Sequence, residues 1–396
     1  MQLAQRLNSV TEPQTIKMAK LSRELKAKGI NIVDLSLGEP DFKTPEFICT
    51  AATKAMNDGY TKYPPVCGFP ELLEAISLKL KRDNNLDYAP NEIIVSTGAK
   101  QSLYNAIMCL VDPGDEVLIP TPFWVTYASQ VQLAGGIVKN IYCGIDTDFK
   151  VTPEQLEARI TSKTKLFIYS SPCNPSGSLY TAEELAALAE VFKRHPQIVI
   201  ISDEIYEYIN YVGRHESVAQ FTELKNRVIV VNGMSKGFAM TGWRLGYLAG
   251  PREIIQACER LQAQVTSGAN SITQRAAITA LTGDLATTYK MVEAFKQRKD
   301  YVIGALKKMD GVKSNNPQGA FYAFPDISSF FGKKYGETVI ADDNDMAMYL
   351  LNEAHVATVC GSAFGDGNCI RLSFATSMTN LMEAMERIAA ALKKLS

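Results

Sequence analysis

Residues 235 to 244 read Ser-Lys-Gly-Phe-Ala-Met-Thr-Gly-Trp-Arg and follow the apolar run Val228-Ile229-Val230-Val231, which ends in Asn232-Gly233. A lone lysine among small residues, just past a strand that reads as buried, is a costly place for a charge. Partial desolvation lowers such an amine's pKa and frees its lone pair, so Lys236 reads as a nucleophile able to form an imine. Arg244, further along the same stretch, is the kind of group that grips a phosphate through two parallel hydrogen bonds. An amine and a phosphate clamp so spaced fit an aldehyde cofactor that carries a phosphate, which is pyridoxal phosphate. The same residues fit equally well a solvated-loop lysine and an arginine held in an ion pair.

Other polar residues stand just past apolar runs, where ligands bind in doubly wound sheets. Gly98-Ala99-Lys100-Gln101 follows Ile93-Ile94-Val95 and opens a helical pattern, so its backbone N–H groups and the helix dipole make a phosphate cradle. Lys100 opposes that dipole, which points to an anion nearby; a plain strand-to-helix turn is the alternative. Asn174 sits in a loop stiffened by Pro172, Pro175 and Gly177, after Leu166-Phe167-Ile168, and a simple Asn-Pro turn would look the same. Asp203 closes Ile198-Val199-Ile200-Ile201-Ser202, and Tyr206 lies one helical turn on. A carboxylate so placed needs a partner, and a protonated pyridine nitrogen would serve, with Tyr206 donating to the ring oxygen; an Asp N-cap is the bland alternative. Arg371, in the alternating Cys369-Ile370-Arg371-Leu372-Ser373-Phe374, offers a fork suited to an α-carboxylate, or is an exposed strand arginine.

The elements that must carry these residues alternate. Strand-like runs at Glu92-Ser96, Glu116-Ile119, Lys165-Ser170, Ile198-Ser202, Arg227-Val231 and Leu245-Ala249 are separated by helical signals. Thr181-Ala182-Glu183-Glu184 is a capping box with Leu185, Leu188, Ala189 and Phe192 on one face. Thr152-Pro153-Glu154-Gln155 is another helix start, and Asp112-Pro113-Gly114-Asp115 a turn. Such alternation predicts an α/β fold with a mainly parallel sheet flanked by helices. The N-terminal part differs: Met18, Leu21, Ser22 and Leu25 share a helical face that ends at Gly29, and Ile32-Leu35 follows as a strand. Beyond residue 285 long helical segments return, with strand-like Ala320-Phe324, Val356-Val359 and Cys369-Phe374. A large domain over 46–285 and a smaller α+β domain built from 1–45 and 286–396 are the expected division.

Composition narrows the function classes. With 396 residues the chain exceeds what one core supports. Lys plus Arg number 41 against 42 Asp plus Glu, so no net field favours nucleic acid or a membrane surface. Met1 to Arg6 lead into no apolar leader, no later run would span a bilayer, and a cytoplasmic protein is expected. The eight cysteines form no CxxC pair and read as reduced thiols. His195, His215 and His355 stand far apart, which argues against a structural metal or a histidine-based triad.

Taken together, these segments resemble the fold-type I, class I pyridoxal-phosphate aminotransferases, the aspartate aminotransferase family. The resemblance is carried by 36–42 (Ser-Leu-Gly-Glu-Pro-Asp-Phe), 63–68, 96–101, 120–124, 171–177, 202–206, 235–244 and 371–375, and so runs nearly end to end. It implies a mainly parallel seven-stranded sheet plus the smaller domain. It also implies pyridoxal 5′-phosphate held as a covalent Schiff base on Lys236, which would move the proton during turnover. Asp203 would pair with the pyridine nitrogen, and Tyr206 and Asn174 would contact the ring oxygen. Ser235, Arg244 and the backbone from Gly98 through Ala99 and Lys100 would hold the phosphate, with Trp124 stacked on the ring. Gly38, Trp124, Asn174 and Arg371 would line the substrate site. Tyr63 would reach the partner subunit's phosphate, which implies a homodimer with shared active sites.

The implied reaction is ping-pong transamination through aldimine and pyridoxamine forms, with aspartate and 2-oxoglutarate as the expected pair. Lys100 and Thr15 match positions near the substrate's distal carboxylate in the branch that includes prephenate-accepting relatives, while Gln14 departs from the serine often found there. The alternatives are an aromatic or prephenate aminotransferase, a C–S β-lyase on the same scaffold, and a non-catalytic regulator domain. The last needs a basic DNA-binding segment, for which the stretch ahead of residue 46 leaves no room.

Overall fold

The computed structural model describes residues 4–10 and 12–396. Seven strands form its main sheet: β1 (Ile93–Ser96), β2 (Glu116–Thr121), β3 (Ile137–Tyr142), β4 (Thr164–Ser170), β5 (Val199–Asp203), β6 (Val228–Gly233) and β7 (Gly246–Ala249). Their order is β1-β7-β6-β5-β4-β2-β3. All neighbours run parallel except β7, which is antiparallel to both β1 and β6. The connection between β6 and β7 therefore leaves and returns at one end of the sheet, where Gly233 stands opposite Gly246.

Both faces of this sheet are covered, which is why its strands read as continuous apolar runs rather than alternating ones. Successive residues still part to opposite sides. Phe167, Ile200, Val228 and Val230 join one core with Leu72, Ile76, Leu185, Phe192 and Ala277 from the helices Pro70–Asn84, Ala182–Arg194 and Ser271–Thr282. Leu166, Ile168, Ile201, Ile229 and Val231 join the other with Leu103, Ile107, Val131 and Ile255 from Ala99–Leu110, Thr126–Leu133 and Arg252–Val265. Each such buried aliphatic side chain contributes about 1.5–3 kcal/mol. Truncating Ile200 or Ile201 to Ala in the middle strand would cost about 2–5 kcal/mol.

The local signals work as the side chains require. Thr181 accepts from Glu184 N at 3.2 Å while Glu184 accepts from Thr181 N at 2.8 Å, and Thr152 and Gln155 repeat the exchange ahead of Pro153–Glu157. The N-terminal helix Gln14–Ala27 ends where Gly29 turns to φ +83. One strand of the main sheet was not anticipated. β3 forms the sheet edge, and only Ile141 of its residues is buried, so Lys139 and Asn140 face water and interrupt the apolar pattern that marks its neighbours.

A third core lies outside the large sheet. Ile370–Ser373 pairs antiparallel with Val359–Cys360 and Tyr322–Ala323, and Val33–Asp34 pairs parallel with Val356–Ala357. The helices Ala286–Leu306 and Met378–Leu392 supply Phe295, Val302, Met385 and Ile388 to the same cluster. Tyr206 and Ile209, just past β5, also belong to it, so this core reaches the end of the sheet.

Candidate active site

A cavity of about 340 Å³ opens at the carboxyl ends of β4, β5 and β6, as the rule for open α/β sheets requires. Its walls hold Lys236, Asp203, Tyr206, Asn174, Ser235 and Arg244. Ala99, Lys100, Trp124, Gly38, Arg371 and Thr15, also taken from the sequence, line it too. Gly98 lies directly behind Arg244, since a Cβ added there would meet Arg244 Nη2 at 2.5 Å. Tyr63 is not brought into this cavity; it stands 95% exposed elsewhere on the surface.

Lys236 is reached from the cavity and enclosed by protein on its other sides. Its Nζ donates to the Gly38 carbonyl and lies 5.7 Å from the ring centres of both Tyr206 and Phe321. Burial pulls the amine down to about 8, with Glu39 opposing that shift and the Arg371 and Arg244 cations adding to it. A lysine so placed is neutral often enough near pH 8 to attack a carbonyl or take a proton.

Asp203 ends β5 at the cavity floor and is 3% exposed. Burial pushes its carboxyl up to about 6, against the stabilising hydroxyl of Tyr127, which donates to Oδ2 at 2.6 Å. Asp203 caps no helix; its Oδ1 accepts from Ile205 N at 3.2 Å within the turn that carries Tyr206. Behind that turn the chain's next carboxylate faces away. Burial alone would raise Glu204, but His215 at 3.1 Å and the Ser217 and Ser202 hydroxyls hold it below the ordinary range. The buried Lys79–Glu207 pair flanks this wall.

Arg244, Ser235 and the start of the helix Ala99–Leu110 face one another across the cavity's other end. The first N–H groups of a helix lack intrahelical acceptors, and they carry partial positive charge. Gly98, the residue before the helix, holds φ +82 and could not carry a side chain without displacing the Arg244 guanidinium. This backbone and guanidinium fit a phosphate group. Lys100 lies 4.9 Å over the Trp124 ring, its pKa lowered by burial and by Arg244.

Arg371 is 2% exposed, and among the described residues no carboxylate pairs with it. Its Nη1 donates to Asn174 Oδ1 at 3.0 Å and its Nη2 to the Ser36 carbonyl at 2.6 Å, while Nε has no partner. Its guanidinium lies 4.6 Å over the Tyr322 ring. An unneutralised buried cation with an unpaired donor calls for an anion. The lining as a whole sets Lys100, Lys236, Arg244 and Arg371 against Asp203 alone among the described residues, so it fits a ligand set rich in phosphate and carboxylate. Pyridoxal phosphate fits: the amine at Lys236, the carboxylate at Asp203, the aromatic wall at Trp124 and the cradle at Gly98 and Arg244 match its aldehyde, ring and phosphate.

Two tyrosines of the site were not singled out in the sequence. Tyr127 serves Asp203 from the helix Thr126–Leu133, and Tyr322 shares a 2.7 Å hydrogen bond with the Tyr206 hydroxyl. Neither belongs to a spacing that marks chemistry. Among the described residues no group of His, Cys, Asp or Glu is placed to hold a metal ion, and no helix is long and apolar enough to cross a membrane.

Known proteins share this arrangement of sequence and fold. The family model for aminotransferase class I and II matches residues 30–388. An aspartate/prephenate aminotransferase of Nitrosomonas europaea is 45% identical, over 99% of this chain and 100% of the relative. The aspartate aminotransferase of Rhizobium meliloti superposes with a TM-score of 0.97 at 44% identity, over 100% of both chains. That of Thermus thermophilus with maleate gives 0.93 at 38%, over 99% and 100%. The α/β architecture, the motifs and these likenesses agree, and the chain belongs to the class I and II aminotransferases.

Proposed function

We propose that the protein is a pyridoxal-phosphate-dependent aspartate:2-oxoglutarate aminotransferase, with the cofactor held on Lys236. The observation that carries this reading is the placement of the Lys236 amine, brought down to about 8, between the Asp203 carboxylate and the two guanidinium groups of Arg244 and Arg371. Arg244, Ser235 and the Gly98–Ala99–Lys100 backbone would hold the phosphate, Trp124 the ring face, and Asp203 the pyridine nitrogen. Bound there, pyridoxal phosphate supplies an aldehyde that condenses with amines and a protonated ring that draws in the electron pair left when an α-proton departs.

The chain's own residues do the rest. Arg371 takes the substrate's α-carboxylate, with Asn174 and the Ser36 carbonyl fixing its fork. That grip sets the substrate α-carbon toward Lys236, which removes the α-proton as a neutral amine and returns it one carbon away. Asp203 keeps its negative charge toward the ring, supported by Tyr127. Tyr206 presents its hydroxyl to the ring oxygen. An amino group thus passes from aspartate to 2-oxoglutarate in two halves at one site, yielding oxaloacetate and glutamate.

Prephenate as a second amino acceptor is supported by the lining itself. Lys100 and Thr15 add a cation and a hydroxyl at the cavity's rim, where a second carboxylate of either oxo acid would be received, and the Nitrosomonas europaea relative is named for both activities. Three further parts of the reading rest on their own observations. The cores described above support a large domain over 46–285 and a smaller one over 1–45 and 286–396. The bare Tyr63 ring supports a homodimer in which it completes the partner's site. Eight free cysteines support a reducing, cytoplasmic setting.

The test is direct. Purified protein loaded with pyridoxal phosphate is mixed in turn with aspartate, glutamate, phenylalanine and cystathionine, and the cofactor's absorbance and the products are followed. Aspartate and glutamate should bleach the visible band and yield oxo acids. Pyruvate and ammonia from cystathionine, or near-normal turnover by Lys236→Ala, would sink the proposal.

A further inference from the structure

The Tyr206 and Tyr322 hydroxyl oxygens lie 2.7 Å apart on two buried side chains that both line the cavity. Each phenol has a single proton, so only one of the two donates in this bond and the other keeps its proton free. Tyr322 cannot turn away to settle the matter otherwise. Its ring packs at 4.8 Å on Phe321 and edge-on to Tyr206 at 5.8 Å, and the Arg371 guanidinium covers it at 4.6 Å. On the remaining side the Gly38 strip closes in, since a Cβ at Gly38 would meet the Tyr322 hydroxyl at 2.7 Å. Among the described residues the hydroxyl has no hydrogen-bond partner other than Tyr206.

We propose that Tyr322 is a positioning residue that acts through Tyr206, donating its proton to the Tyr206 oxygen so that the Tyr206 proton is left for the cofactor's ring oxygen. The proposal rests on the reading that the cavity holds pyridoxal phosphate. The direction of the bond follows from acidity. The Arg371 guanidinium, stacked on the Tyr322 ring at 4.6 Å, favours loss of a proton from Tyr322, while burial raises both phenols and Tyr206 stands well above the ordinary value. The more acidic phenol is the better donor. A donated bond also polarises Tyr206 and strengthens its own outward bond. Gly38 has a matching reason to be glycine, because any side chain there would push the donor off its acceptor.

The bound cofactor's visible absorbance, titrated against pH without substrate, reads this bond. A hydroxyl donated to the ring oxygen stabilises its anion and lets the lysine-bound cofactor give up its proton at lower pH. Tyr322→Phe removes the donor and keeps the ring under Arg371, so the midpoint should rise by about half a pH unit. Tyr206→Phe should raise it too, and adding Tyr322→Phe to that variant should move it no further. Gly38→Ala, which leaves both hydroxyls in place, should shift it in the same direction. An unchanged midpoint in Tyr322→Phe and Gly38→Ala, or an equal shift with and without the Tyr206 hydroxyl, overturns the proposal while the band itself persists. Failure of the unaltered protein to form a band that depends on Lys236 overturns the functional reading instead, and this inference with it.

Discussion

Tyr127 donates its hydroxyl to Asp203 Oδ2 at 2.6 Å, from a helix on one face of the sheet to the end of its middle strand. Both side chains are buried, so this bond is what offsets the cost of an ionised carboxylate at the cavity floor. Without it Asp203 would sit still further above the ordinary carboxylate range.

Tyr127→Phe should therefore weaken cofactor binding. Hydrogen bonds to a charged group contribute about 1.5–3 kcal/mol, or roughly 10- to 100-fold in affinity. Titration of cofactor-free protein with pyridoxal phosphate measures this, and affinity within twofold of the original would show that Tyr127 does not support Asp203.

The lowered Lys236 sets a pH dependence. An ordinary lysine becomes neutral only near 10.4, whereas this one does so near 8. The amine must be neutral to attack, so capture of pyridoxal phosphate by cofactor-free protein should rise about tenfold per pH unit below 8 and level off above it. Stopped-flow absorbance between pH 6 and 10, at constant ionic strength, would show it; a rise that continued past pH 9 would contradict the burial argument.

Arg371→Lys keeps the charge and loses the fork and the stacking on Tyr322. The Michaelis constants of both the amino acid and the oxo acid should rise roughly 10- to 100-fold, because both present the same α-carboxylate. A rise confined to one substrate in steady-state kinetics would place Arg371 elsewhere in the reaction.

Gly98→Ala should selectively damage phosphate recognition. The residue holds φ +82, and its Cβ would meet Arg244 Nη2 at 2.5 Å, so the guanidinium must move. The preference for pyridoxal phosphate over pyridoxal, measured as a ratio of dissociation constants, should fall by about tenfold. An unchanged ratio would remove Arg244 from the phosphate cradle.

What the sequence shows and what it hides divide along physical lines. Six of the seven sheet strands are legible because two covered faces demand apolar runs, and β3 is not, because an edge strand can expose Lys139 and Asn140. Lys236, Asp203 and Asn174 are legible because a polar residue just past a buried strand is costly and so informative, and Arg244 because it shares the stretch that holds Lys236. Tyr127 and Tyr322 are hidden because their partners lie 76 and 116 residues away, and a tyrosine in an apolar stretch is ordinary core until its hydroxyl is seen to have a partner. The environment of Arg371 is hidden for the same reason: its strand pattern is plain, but only the fold brings Asn174 and the Ser36 carbonyl to it.

The antiparallel return of β7 has a consequence for how such a site tolerates change. Every parallel neighbour sends the chain back across the sheet before it contributes again, so the loops bearing Asn174 and Asp203 can lengthen or shorten independently. Lys236 and Arg244 ride instead on one closed excursion, pinned at both ends by the Gly233–Gly246 pair. An insertion or deletion within it would shift the Lys236 amine and the Arg244 guanidinium together. Length variation among descendants of this sequence should thus be sparse between these two glycines and freer in the helical crossovers on either side.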